Sequence, residues 1–181
     1  KYCGEEAERC AFVGVALFGC PTDLTLAIRR LASCVGSRVV DRFALVPSVQ
    51  RILEYYRPVL SEASNLDLDS ASRATSMFAF DGATIAPMMG CSSAMQYYTE
   101  ASCEGFLCRV RIPMLLLSSG NDPIAAADMI KPRPFEAGVE APLLLAVTAE
   151  GGHSMSWNEG SLGMGHAWSP AVLLEWMDAC L

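Results

Sequence analysis

The chain has 181 residues, 52% of them hydrophobic and 18% charged, with 13 Lys and Arg against 20 Asp and Glu for a net charge of −7. So apolar a chain is not disordered, since disorder needs low hydrophobicity with high net charge; the length suits one domain or the larger part of one. The acidic balance speaks against a nucleic-acid partner, whose phosphates require a basic footprint, and against electrostatic attraction to an anionic membrane surface.

The opening Lys1-Tyr2-Cys3-Gly4 lacks an initiating Met and reads as the polar end of a helix, so a beginning is expected to be missing. No basic start followed by an apolar stretch marks a signal peptide. The longest apolar runs, Ala11–Cys20 and Ile112–Leu117, fall short of the about 20 residues a membrane span needs.

Ala11 to Phe18 is a continuous apolar run closed by Gly19-Cys20-Pro21, which predicts a strand buried on both faces. Thr22 or Asp23 then caps a helix carrying Leu24, Leu26, Ile28 and Leu31. From Val39 to Leu60 apolar residues recur at helical spacing, with Pro47 and Pro58 expected to kink or end the helix. Asn65 to Ser76 reads as a loop and a short helix, with Asp67-Leu68-Asp69 as its solvated start; Ser92 to Ser102 predicts a further helix. The second strand runs from Ile112 to Gly120, with Pro113 tolerable only near its start. A helical stretch is expected near Pro123–Met129, and a third strand over Pro142–Thr148. After the Gly151-Gly152-His153 loop comes a closing helix, Ser169–Cys180, with Val172, Leu173, Trp176, Met177 and Cys180 on its apolar stripe.

Alternating strands and helices imply the α/β class with a parallel sheet and right-handed crossovers. In such sheets functional residues sit just past the carboxyl ends of strands. Asn121-Asp122-Pro123 follows the second strand and Gly151-Gly152-His153 the third, so an acid and a histidine stand at one edge of the sheet. A carboxylate there holds one imidazole nitrogen and leaves the other to act as a base toward a nucleophile. The competing readings are a helix cap for Asp122, ahead of Pro123, and an unpartnered loop residue for His153. His166, beside Trp168, is assigned to packing or surface, as are Met88-Met89 and the Tyr97-Tyr98 pair to packing.

The eight cysteines contain no C-x-x-C pair, and several lie in apolar segments, which favours reduced structural thiols and a reducing compartment such as the cytoplasm. With two histidines and no thiolate quartet at ligand spacing, no metal site is expected.

Taken together these segments resemble the α/β-hydrolase fold, and within it the YheT-like branch, also called the AB-hydrolase-4 family. The likeness rests on Pro21-Thr22-Asp23-Leu24, on Phe80-Asp81 with Thr84-Ile85-Ala86-Pro87, and on Gly90-Cys91-Ser92-Ser93-Ala94-Met95-Gln96-Tyr97-Tyr98. It continues through Ile112-Pro113-Met114-Leu115, Asn121-Asp122-Pro123-Ile124, Gly151-Gly152-His153 and the Trp176 helix. Where relatives often carry two acids before the proline, this chain has Asn121-Asp122, which leaves Asp122 on the triad acid.

The resemblance implies that residues 1–181 are the carboxyl-terminal portion of a single α/β-hydrolase domain. That portion would hold the last three strands, helices on both faces, and a helical cap insertion at about 36–108. It implies a serine ester hydrolase, a carboxylesterase or an acylglycerol or phospholipid lipase, whose Ser-Asp-His triad runs in that chain order. Asp122 and His153 would be two of its members. The serine belongs in a G-x-S-x-G elbow on the strand before Ala11; Gly90-Cys91-Ser92-Ser93-Ala94 begins like that elbow but lacks its last glycine. The nucleophile and oxyanion donors are therefore expected outside the chain. Asp81, in the cap region, is a candidate for the border of the substrate channel. No metal or organic cofactor is implied, the partner is a small acyl ester or lipid, and membrane contact is expected only through upstream segments. The alternatives are a non-catalytic α/β-hydrolase-like binding or scaffold module, and an acyltransferase that passes the acyl group to an alcohol. The isolated chain is expected to be inactive, and poorly soluble because the first strand keeps an unpaired apolar edge.

Overall fold

The computed structural model describes residues 1–62, 65–131, 135, 140–153 and 168–181. The chain opens with α1 (Tyr2–Glu6), a 3-10 turn (Ala7–Arg9) and β1 (Val15–Phe18). Next come α2 (Leu24–Ser33), α3 (Val35–Val40), a π turn (Asp41–Leu45) and α4 (Val46–Leu60). Four short helices follow: α5 (Leu68–Ser72), α6 (Met77–Ala83), α7 (Ile85–Met88) and α8 (Ala94–Ala101). The last part holds α9 (Glu104–Leu107), β2 (Met114–Ser119), a 3-10 turn (Ala127–Met129), β3 (Leu143–Thr148) and α10 (Trp168–Cys180). Two units result: a sheet unit of Lys1–Asp23 with Ser102–Leu181, and a helical unit of Leu24–Ala101.

In the sheet unit the strands are parallel and ordered β1-β2-β3, so the expected α/β class holds. Val15 pairs with Met114 and Met114 with Leu143. Every residue of the central β2 is buried, which explains its unbroken Met-Leu-Leu-Leu run. Leu116 and Met114 pack with Cys3, Leu107 and Val110 into the core of this unit.

The first strand is shorter than expected. It begins at Val15, and Ala11–Gly14 lies outside it. The ladder starts there because Pro113, ahead of β2, has no N–H to donate; its carbonyl takes the Val15 N–H at 2.9 Å. Beside this edge α10 comes so close that a Cβ on Gly14 would lie 2.5 Å from Cys180 Sγ. The helix expected over Pro123–Met129 is also reduced, to the single 3-10 turn. Ala126 adopts an extended ψ of 146°, which breaks any helical run through the segment.

In the helical unit the stretch expected as one helix from Val39 to Leu60 is divided. Pro47 stands in the first turn of α4, where its missing N–H costs least, and the wider π turn precedes it. Pro58 does not end α4, which continues to Leu60. Asp67 caps α5 through Ser70 N at 2.9 Å, and Ser76 caps α6 through Ala79 N at 3.2 Å. Leu53, Ala71 and Phe80 form the core here. Among the described residues no helix is long and apolar enough to cross a membrane.

Candidate active site

The carboxyl ends of all three strands contribute to one small region of the sheet unit. β2 ends at Ser119 and turns through Gly120 and Asn121 into Asp122, which has no exposed surface. Backbone amides fix this carboxylate: Oδ1 accepts from Ile124 N at 2.7 Å and Ala125 N at 2.9 Å. These bonds close a turn over Pro123–Ala125 and not a helix cap, since no helix begins at Pro123. The other oxygen, Oδ2, lies 3.0 Å from His153 Nδ1.

His153 reaches that oxygen because of the loop after β3. Gly152 takes a φ of +62°, open to glycine at little cost, and turns the chain back toward β2. Asn121 Oδ1 ties the loop down, accepting from Gly152 N at 2.9 Å and from the Ser119 hydroxyl at 2.6 Å. From β1 comes Gly19, at φ +53°; a Cβ there would stand 2.4 Å from the His153 carbonyl oxygen and 3.4 Å from both Asp122 Oδ2 and His153 Nδ1.

With the carboxylate as acceptor, Nδ1 carries the proton and Nε2 keeps its lone pair. The imidazole is 43% exposed while Asp122 is fully buried, so the pair has a fixed inner end and an accessible outer one. Such a pair can take a proton at Nε2, offset the charge of the imidazolium, and return the proton to a leaving group.

The remaining candidates lie elsewhere. Asp81 is 8% exposed inside the helical unit, where it accepts a hydrogen bond of 2.6 Å from the Tyr98 hydroxyl. Burial raises its pKa, as it does that of Asp41, whose charge adds to the effect on Asp81. Ser92 and Ser93 stand before a helix in no strand-borne elbow: Ser92 N and Oγ bond Gln96 Oε1 at 2.8 and 2.7 Å, and Ser93 Oγ accepts from Gln96 N at 3.2 Å. Thr22, expected to cap α2, has a buried hydroxyl without a partner among the described residues, while its carbonyl accepts from Cys103 N and Glu104 N at 2.9 and 3.0 Å. His166 lies outside the described residues.

Sequence reasoning missed Gly19 and the tether formed by Asn121. The first had a signal, a glycine at the end of an apolar strand. The second did not, because an amide that bonds 31 residues away has no local pattern.

Comparison with known proteins gives distant relatives. Monoacylglycerol lipase ABHD2 of Danio rerio is 24% identical over 149 residues, covering 78% of this chain and 35% of the relative. Phospholipase ABHD3 of Mus musculus is 31% identical over 112 residues, covering 61% of this chain and 26% of the relative. Medium-chain fatty acid ethyl ester synthase/esterase 2 of Saccharomyces cerevisiae is 24% identical over 173 residues, covering 84% and 38%. The chain is a distant homologue of α/β-hydrolases. It spans about a third of the length of the curated relatives it matches. No family model and no solved structure matches it.

Proposed function

We propose that these residues are the acid- and histidine-bearing, carboxyl-terminal part of a serine ester hydrolase of the YheT-like branch, with Asp122 and His153 as two members of its triad. The nucleophilic serine and the oxyanion donors come from a segment outside the 181 residues. The serine attacks an acyl carbonyl, His153 Nε2 takes its proton and hands it to the leaving alcohol, and Asp122 orients and stabilises the imidazolium. A helical cap at about 36–108 belongs to the same domain, a reading supported by the helical unit Leu24–Ala101. The substrate class is carboxylic esters of fatty acyl chains, supported by relatives named as lipases and as an ester synthase/esterase.

The observation that carries this reading is the 3.0 Å contact between Asp122 Oδ2 and His153 Nδ1 at the ends of neighbouring strands. The test uses the intact protein, assayed on acyl esters and labelled with a serine-directed fluorophosphonate. His153→Ala is expected to lower kcat by about 10³–10⁴-fold with little change in KM. An undiminished rate in that variant sinks the triad, and an intact protein that takes no label favours the non-catalytic binding module. The name of the yeast relative favours a second reading, acyl transfer to an alcohol. Ethanol added to the assay distinguishes the two, since transfer yields an ethyl ester where hydrolysis yields only the free acid.

A further inference from the structure

The helical unit contains a cavity of about 960 Å³ whose lining includes neither Asp122 nor His153. Its lining is apolar along Ile28 and Leu31 of α2, Val35 and Val39 of α3, Phe43 of the π turn and Phe78 of α6. Val35, Val39 and Phe43, each one helical turn from the next, are 78%, 52% and 74% exposed. Isolated apolar residues on a surface need no explanation, but a contiguous open row does.

Three guanidinium groups line the same cavity: Arg29, Arg38 and Arg42. None has an ion-pair or hydrogen-bond partner among the described residues. Arg38 and Arg42 are four residues apart, a spacing at which like charges repel and a helix loses stability. An anion between them removes that cost. The charge distribution points the same way. All seven basic residues of Leu24–Ala101 are arginines, matched by seven acids, so this unit is neutral and the chain's net −7 resides in the sheet unit. Asp41 is the acid of the cavity wall; it is buried, its Oδ1 is occupied by Met77 N–H at 2.9 Å, and burial disfavours its charged form.

An apolar trough beside unpaired guanidiniums fits a long chain with one anionic end. A neutral lipid leaves the arginines unused, and a sugar phosphate leaves the trough wet. Arginine's planar fork matches a carboxylate in two parallel hydrogen bonds. The volume lies at the upper end of the about 300–1,000 Å³ range of small-molecule sites. We infer that this cavity binds a fatty carboxylate, its chain along Val35, Val39 and Phe43 and its head held by Arg38, Arg42 and Arg29. The same chemical class is released by the hydrolysis proposed above, but the inference stands on the cavity and not on that reaction.

The experiment is titration of the intact protein by calorimetry, below micellar concentrations, with dodecanoate, dodecanol and dodecyl phosphate. Saturable binding is expected, with dodecanoate at least about tenfold tighter than dodecanol and its advantage shrinking as salt rises. Arg38→Gln with Arg42→Gln should bring dodecanoate down to the level of dodecanol, and Val39→Asp should weaken both ligands. All three positions are exposed, and a thermal melt of each variant establishes that it folds. Equal binding of dodecanoate and dodecanol, affinity untouched by the arginine changes, or no saturable binding overturns the inference; tighter binding of dodecyl phosphate overturns the carboxylate head. His153→Ala separates the two claims. If that variant is catalytically dead and still binds dodecanoate, both stand. If it hydrolyses esters normally, only the triad falls; if it loses dodecanoate while folded, only the assignment of dodecanoate to the cavity falls.

Discussion

Asp122 in the sheet unit and Asp81 in the helical unit are both buried carboxylates, wired in opposite ways. Asp122 receives two backbone amides and an imidazole nitrogen, three donors on two oxygens. Asp81 receives one phenol, from Tyr98, with Asp41 close enough to repel its charge, and its pKa rises. The difference teaches how burial can serve two ends. Backbone amides aimed at one oxygen fix the carboxyl group in place and leave the other oxygen to orient a partner. A single hydroxyl does less, and desolvation then dominates.

Four substitutions sharpen this contrast. The largest effect is expected for Asp122→Asn in the intact protein. The amide keeps the shape but no longer enforces the Nδ1–H tautomer, so kcat on an acyl ester should fall about 10⁴-fold while the fold survives. Asp81→Asn should leave kcat within about twofold, a split that a shared catalytic role would erase.

Gly19→Ala comes next. A methyl group 2.4 Å from the His153 carbonyl, on a backbone at φ +53°, should cost about 1–3 kcal/mol in a urea melt. It should also displace the His153 loop, which a fall in kcat would report separately. Asn121→Ala removes the acceptor for Gly152 N–H, for about 1 kcal/mol. Faster hydrogen exchange at the Gly152 amide is the direct reading.

The smallest effect concerns pH. Asp81 and Asp41 have folded-state pKa values raised above those of the unfolded chain, so the stability they contribute is present below the unfolded value and lost as pH rises through the raised one. Thermal melts from acid toward neutral pH should therefore show a decline that Asp81→Asn flattens. A profile unchanged by that substitution would place the loss on other groups. Outside this series, the isolated 181 residues are expected to melt without cooperativity, since β1 pairs on one side only among the described residues. A sharp monomeric melt would refute that.

Much of the sheet unit was legible in the sequence. A strand buried on both faces needs an unbroken apolar run, so Met114–Ser119 announced itself; Leu143–Thr148 is as apolar, although Leu144 and Val147 lie exposed, and with the two strands came the loops that carry Asp122 and His153. What pattern could not show was where pairing stops, because that depends on the partner strand: Pro113, one residue before the Met114 that pairs with Val15, has no N–H to carry the ladder further. The helical unit was less legible. Apolar spacing over Val39–Leu60 has the same period on either side of the π turn, so the break at Asp41–Leu45 leaves no mark in composition. The row formed by Val35, Val39 and Phe43 reads as an ordinary core stripe, and only packing left it open.

The order of residues alone determined the α/β class, the parallel run of strands, and the arrival of an acid and a histidine at the same edge, because each follows from local periodicity and chain handedness. Tertiary structure alone decided that Asp122 Oδ2 and His153 Nδ1 stand 3.0 Å apart, that Gly19 makes room beside them, and that Asn121 ties their loops together. Such contacts join segments distant in the chain, and their geometry is set by how the strands register against one another, which no local pattern of residues encodes.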